Sequence, residues 1–301
     1  MPSDPRQHVV GVSLLIGAAI AWSTAGVFVR IVQLDSWTIL FWRGLFATGA
    51  LSAMLLVVHG RRMIGALRLT GAGGLMVAGC DVLVSVTFIL ALNMTSVADV
   101  AVIYATAPII TAGLAWLCLR ERPGFGVIAA GAISFLGVAI VVSGEAGQRH
   151  LVGNAMAVLM TLMLAVMTLL IRVRRTFDLT PAALLSAAIT AAVTWPLAAP
   201  AVPGAEKLAW LALFATLQMA LGLVLFILGS RRVPAGEAVL LTLLETPLAP
   251  FWVWLVIGET PSTATVFGGA LVGAAILIHL AAQYRWRIGR RRPATWGEAI
   301  P

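Results

Sequence analysis

Apolar residues run along this chain in long unbroken stretches, and polar residues are confined to the short gaps between them. Ten such runs come close to the roughly 20 residues needed to cross ~30 Å of hydrocarbon. They fall at about 10–32, 37–58, 70–91, 98–118, 124–143, 152–171, 181–200, 208–229, 235–257 and 262–282. Each is predicted to be an α-helix, because a segment bathed in lipid must satisfy its own backbone hydrogen bonds. The first run is long and weakly preceded by charge, so it reads as a span and not as a removable signal.

The runs also repeat. Residues from Asp99 read DVAVIYATAPIITAGLAWLCLRERPGFG, and residues from Glu237 read EAVLLTLLETPLAPFWVWLVIGETPSTA. A shift of 138 positions lays Asp99 on Glu237, Trp116 on Trp254, Glu121 on Glu259, Pro123 on Pro261 and Gly131 on Gly269. Near the two starts a shift of 142 matches Gly11 with Gly153 and Arg30 with Arg172. The chain therefore divides into a first repeat over 1–144, a second over 145–284 and a basic tail over 285–301. Five spans per half is an odd number, so the second half enters the membrane from the opposite face. The expected fold is all-α and integral to the membrane: ten spans in two inverted five-helix repeats, with both termini cytoplasmic. Inverted repeats are a mark of secondary transporters, whose site lies where the halves meet.

Composition and charge agree with that plan. Apolar residues make up 60% of the chain and charged ones 11%, against about 25% charged in an ordinary soluble domain. With the N-terminus inside, the outer segments carry only Arg30, Arg149 and Lys207 among the basic residues; Arg43 lies within a span, and the other sixteen fall inside. That is the bias membrane insertion imposes. The net charge of +8 then calls for no nucleic acid. The tail, with Arg285, Arg287, Arg290, Arg291 and Arg292, is placed against anionic inner-leaflet lipid. Cys80 and Cys118 lie within apolar runs and make neither a structural disulfide nor a metal site. No nucleophile–base or metal constellation stands out, so an enzyme is not expected, and no cofactor beyond an optional coupling proton. Gly269 and Gly273 are read as a small-residue helix contact, within the chain or across a homodimer.

The stretches ALNMTSVADVAVIYATAPIITAGLAWLCLRERP and LLETPLAPFWVWLVIGETP, with FWRG at Phe41–Gly44, resemble the EamA-type transporters of the drug/metabolite transporter superfamily. Pro108 and Pro250 match the helix-interior prolines of that pattern, and Glu121 and Glu259 its turn glutamates. Arg120 stands where a small residue is usual, and Pro247 adds a second proline to the ninth span. The resemblance implies a 5+5 carrier for small organic metabolites, often an exporter of amino acids or drugs, in a bacterial inner membrane.

Ionisable groups at mid-membrane are functional candidates because lipid alone does not tolerate them. Asp81 sits near the middle of the third span with Ser85 and Phe88 on the same face; it could bind an ammonium, take up a proton, or serve packing alone. Glu245 sits mid-depth in the ninth span, beside backbone that Pro247 and Pro250 leave open. Arg43, about 9 Å into the second span, could fork onto a substrate carboxylate, snorkel outward or pair with an acid such as Asp99. Trp22 and Tyr104 are read as cavity walls or as packing. Asp99 and Glu237 start equivalent helices, where capping competes with a gating role, and Glu121 and Glu259 are turn residues. The combined expectation is a site between spans 2, 3, 4 and 9 for a zwitterion such as an amino acid. Multidrug efflux of lipophilic cations is the alternative, and a non-transporting scaffold a further one.

Overall fold

A computed structural model of the chain describes residues 5–60, 65, 70–120, 125–144, 148–173, 179–198, 202–233, 238 and 241–289. Glu121 and Glu237 lie outside them. Regular structure among the described residues is entirely helical. In chain order it comprises α1 (Pro5–Ser23), α2 (Ala25–Val32), α3 (Ser36–His59), α4 (Gly71–Met94), α5 (Val97–Tyr104), α6 (Ala107–Leu119) and α7 (Phe125–Gly144). The second half continues with α8 (Gln148–Val173), α9 (Leu179–Thr194), α10 (Ala205–Phe214), a π-helical segment over Ala215–Leu221, α11 (Gly222–Ser230), α12 (Glu245–Ile257) and α13 (Thr263–Gly289). Among the described residues, seven helical stretches are long and apolar enough to cross a membrane: Arg6–Val32, Ser36–Val57, Gly71–Met94, Val97–Leu119, Gln148–Val173, Thr180–Leu197 and Ala205–Ser230. Three shorter apolar helices cover Ile128–Gly144, Glu245–Ile257 and Thr263–Ala275. The bundle surface is correspondingly apolar, with Leu117, Phe135 and Phe267 each more than 70% exposed; in water so much uncovered hydrocarbon would drive association.

The internal repeat is a symmetry of contacts as well as of letters. α3 packs on α9 and α7 on α13, each a helix against its own counterpart. α1 packs on α11, and α4 on α8, and these two contacts exchange when the halves are swapped. Single residues follow the rule. A Cβ on Gly11 would strike Val233 and Arg232 at 2.6 and 2.7 Å, and a Cβ on Gly153 would strike Thr95 and Met94 at 2.8 and 2.9 Å. Val233 and Thr95 are 138 positions apart, as are Arg232 and Met94. Glycine is needed at both places for the same close approach. The α7–α13 contact runs through Gly137 and Gly268, whereas a Cβ on Gly273 would meet open space. Of the expected pair, Gly269 does permit a close helix approach within the chain, since a Cβ there would come within 2.8 Å of Val102 on α5, while Gly268 serves the α7 contact and Gly273 serves neither.

Three spans are interrupted near the middle. The first breaks at Thr24, where Ser23 Oγ and Thr24 Oγ1 donate to the carbonyls of Ile20 and Ala21 at 2.8 and 2.7 Å. Such side-chain bonds offer the backbone an alternative to the helix ladder. The fourth breaks at Ala105–Thr106 and the ninth at Leu243–Leu244, and these two breaks are 138 residues apart. Pro108 and Pro247 follow them within the first turn of α6 and α12, where a missing N–H leaves no intrahelical bond unmade. Pro108 is therefore a helix starter and not an interior proline; Pro250 alone of the three lies inside its helix.

The ends of these half-helices explain a sequence departure. α6 terminates on Arg120 at φ +56°, and α12 on Gly258 at φ +79°. They are repeat counterparts, and both are left-handed C-caps. Glycine takes that conformation freely, while a residue with a Cβ is strained there by about 1–2 kcal/mol.

Candidate solute cavity

A cavity of about 350 Å³ opens at the level of the three breaks. Asp81, Ser85, Arg43, Trp22, Tyr104 and Glu245 all line it. So do Phe88, Met160, Met167, Met219 and Leu223, which make most of its wall apolar. The lining reaches beyond spans 2, 3, 4 and 9, since spans 1, 6, 7 and 8 contribute through Trp22, Met160, Ala183 and Gln218. The sequence reading drew the site too narrowly because apolar lining residues look like any other core position.

Each break places a candidate. Tyr104 is the last residue of α5, and Glu245 is the first of α12, so both project from interrupted backbone. Both line the same cavity. A carboxylate in the first turn of a helix also meets the positive end of its dipole. Thr246, next to Glu245, lines the cavity, and its buried hydroxyl has no hydrogen-bond partner among the described residues. Ser23 at the first break accepts from Trp252 Nε1 at 3.0 Å, which ties α1 to α12.

Arg43 is buried, 6% exposed, so it does not snorkel. Nor does it pair with Asp99. Its Nη2 donates to Gln218 Oε1 at 2.8 Å, and its guanidinium carbon stands 4.9 Å from the centre of the Phe214 ring. Gly44 beside it lets α3 lie directly on Ala187 and Ala191 of α9, which holds the arginine at this depth. Asp81 comes from α4, with Arg43 and Ser186 as its polar neighbours. Trp22 donates from Nε1 to the backbone carbonyl of Gln218 at 3.0 Å. Gln218 was not foreseen; a lone glutamine in the apolar run FATLQMALG was the available signal.

Asp99 and Glu259 lie instead at one end of the bundle. Ser96 caps α5 by accepting from Asp99 N at 3.0 Å. The Asp99 carboxylate, fully buried, accepts from Thr265 Oγ1 at 2.5 Å and Thr95 Oγ1 at 3.1 Å. Glu259 forms an ion pair with Arg30, Nε to Oε2 at 2.6 Å, and also accepts from Val97 N at 3.0 Å. Arg30 further donates to the carbonyls of Leu92 at 2.6 Å and Thr95 at 2.9 Å. Arg30 and Glu259 together thus fasten α2, the end of α4, the start of α5 and the turn between α12 and α13.

The chain as a whole resembles known proteins. The EamA-like transporter family matches residues 9–143 and again residues 151–281. The chain belongs to that family. It is accordingly an integral, multi-pass membrane protein of transporter type, and each half is one EamA-like repeat. A solved crystal structure, described only as that of a protein, is similar over 95% of this chain and 99% of its own, at 15% identity and a TM-score of 0.65. Identity that low speaks for the fold alone. No curated protein matches the chain.

Proposed function

We propose that this EamA-like protein exports a small organic solute carrying both charges, an amino acid or related zwitterion, across a bacterial inner membrane by alternating access. The observation that supports it most is the meeting of Asp81, Glu245 and Arg43 at one cavity among broken helices. Buried carboxylates would hold an ammonium, and a guanidinium would hold a carboxylate in bidentate fashion. The volume lies at the small end of the range for ligand sites and suits a solute of that size. In this reading the shorter apolar helices complete ten spans, five per repeat, with both termini cytoplasmic.

Coupling follows from the energetics of a dry cavity. A carboxylic acid is far less costly to enclose than a carboxylate, so Asp81 or Glu245 binds a proton when no solute neutralises it. Protons running inward then drive solute outward. Arg30 and Glu259 form the outer latch. The repeat assigns its inner counterpart to Arg172 and Glu121, which would meet when the cavity opens outward.

Flux in vesicles with an imposed pH gradient tests the scheme. Asp81→Asn should insert normally and lose proton-driven flux. Unchanged rate and pH dependence in that variant would remove Asp81 from the coupling step. Efflux of lipophilic cations is the second reading, favoured by two acids facing a single arginine that already has partners; an Arg43→Ala variant still moving cations would support it.

A further inference from the structure

We infer that Gln218 is the positioning and specificity-determining residue of the cavity, holding Arg43 through a neutral contact that leaves the guanidinium fork open to the solute. The inference rests on the zwitterion reading above and adds to it the residue that makes discrimination workable.

The local backbone makes Gln218 available. In the π-helical segment the N–H of Gly222 bonds to Leu217 O, five residues back. An α-helix would have spent the carbonyl of Gln218 on that donor. Released from it, the carbonyl accepts from Trp22 Nε1, while the side-chain Oε1 of the same residue accepts from Arg43 Nη2. Gly222 completes the arrangement, because a Cβ there would run into the Trp22 indole. Single π turns of this kind concentrate at functional sites. Gln218 is itself only 8% exposed, so both bonds are formed away from bulk water.

The chemistry of the partner matters more than its position. A buried arginine is ordinarily matched by a carboxylate, which cancels its charge. Arg43 is held by two neutral groups, an amide oxygen and the face of Phe214, four residues apart on the same span. Among the described residues its Nε has no hydrogen-bond partner. The guanidinium is therefore oriented and under-satisfied at once, which suits a group that waits for an anionic ligand. A glutamate at 218 would preserve the shape of this contact and add, to the carboxylate of neighbouring Asp81, a second one directly on the guanidinium. A solute carboxylate would then meet an arginine already paired.

The test is counterflow in vesicles with matched probes: phenylalanine against phenethylamine, leucine against isoamylamine, and lysine against cadaverine. Each pair differs by one carboxylate. Wild type should favour the amino acid in at least one pair. Gln218→Glu should cut that preference about tenfold or more, the size expected for losing one charge-assisted hydrogen bond. Gln218→Ala should fall between the two, with the change in KM and not in the maximal rate. A merely structural glutamine would lower the melting temperature of both variants and leave the preference of the surviving protein intact; that result overturns the inference. Wild type showing no preference, or moving no probe, would instead overturn the zwitterion reading on which it stands.

Discussion

Removal of the Glu259 carboxylate should open the cavity to the outside. In Glu259→Ala three hydrogen bonds vanish, two from Arg30 at 2.6 and 3.3 Å and one from Val97 N at 3.0 Å. A hydrogen bond to a charged group contributes about 1.5–3 kcal/mol when sheltered, and an exposed ion pair at most about 1 kcal/mol. The two side chains are 23% and 25% exposed, which puts the whole latch near 2 kcal/mol. Arg30 keeps its bonds to Leu92 and Thr95, so only the tie to the α12–α13 turn is released. A loss of about 2 kcal/mol shifts a two-state equilibrium roughly 30-fold. The assay is labelling of a Ser85→Cys reporter by a membrane-impermeant maleimide in protein lacking Cys80 and Cys118. Outside labelling should accelerate by that order in Glu259→Ala and by less in Glu259→Gln, which keeps one acceptor. An unchanged rate in Glu259→Ala would show that the Arg30 end is not the closed gate.

The remaining expectations are simpler to read. Glu245→Gln should reduce solute affinity while leaving the outside labelling rate of Ser85→Cys unaltered, because Glu245 makes no contact at the latch. Arg120→Gly should relieve the left-handed strain and raise stability by about 1 kcal/mol, seen as a higher melting temperature in detergent; Gly258→Ala should do the reverse. Gly137→Leu should force α7 from α13 at the Gly268 carbonyl, costing about 1–3 kcal/mol or more, and should lower the melting temperature well beyond Gly273→Leu, which points into open space.

Much of this was written in the chain, and the reasons differ residue by residue. Repeat matching found the halves because Gly11, Gly153 and the two turn glutamates recur at fixed offsets. Mid-span charge found Asp81, Glu245 and Arg43 because an ionisable group in an apolar run has few innocent explanations. The pairing of Arg43 was not legible: its choice of Gln218 over Asp99 depends on a π turn, a backbone property that FATLQMALG does not advertise. The role of Arg30 was hidden for another reason. It sits 229 residues from Glu259, and only folding brings them together. The helix breaks were half visible, since Pro108 and Pro247 marked the region while the interruption itself falls two to four residues earlier.

Thr24 carries a last consequence. The first span is split there, yet its counterpart around Val166 runs unbroken through Gln148–Val173, with no glycine or proline nearby to yield. Were the halves perfect copies, exchanging their shapes would generate an opposite-facing molecule of equal energy. Here one half breaks at Thr24, whose hydroxyl bonds back to Ala21, and the other stays helical past Val166. In the alternating-access cycle proposed above, the two orientations are then unequal at rest, and the break at Thr24 biases which side of the membrane the empty carrier faces.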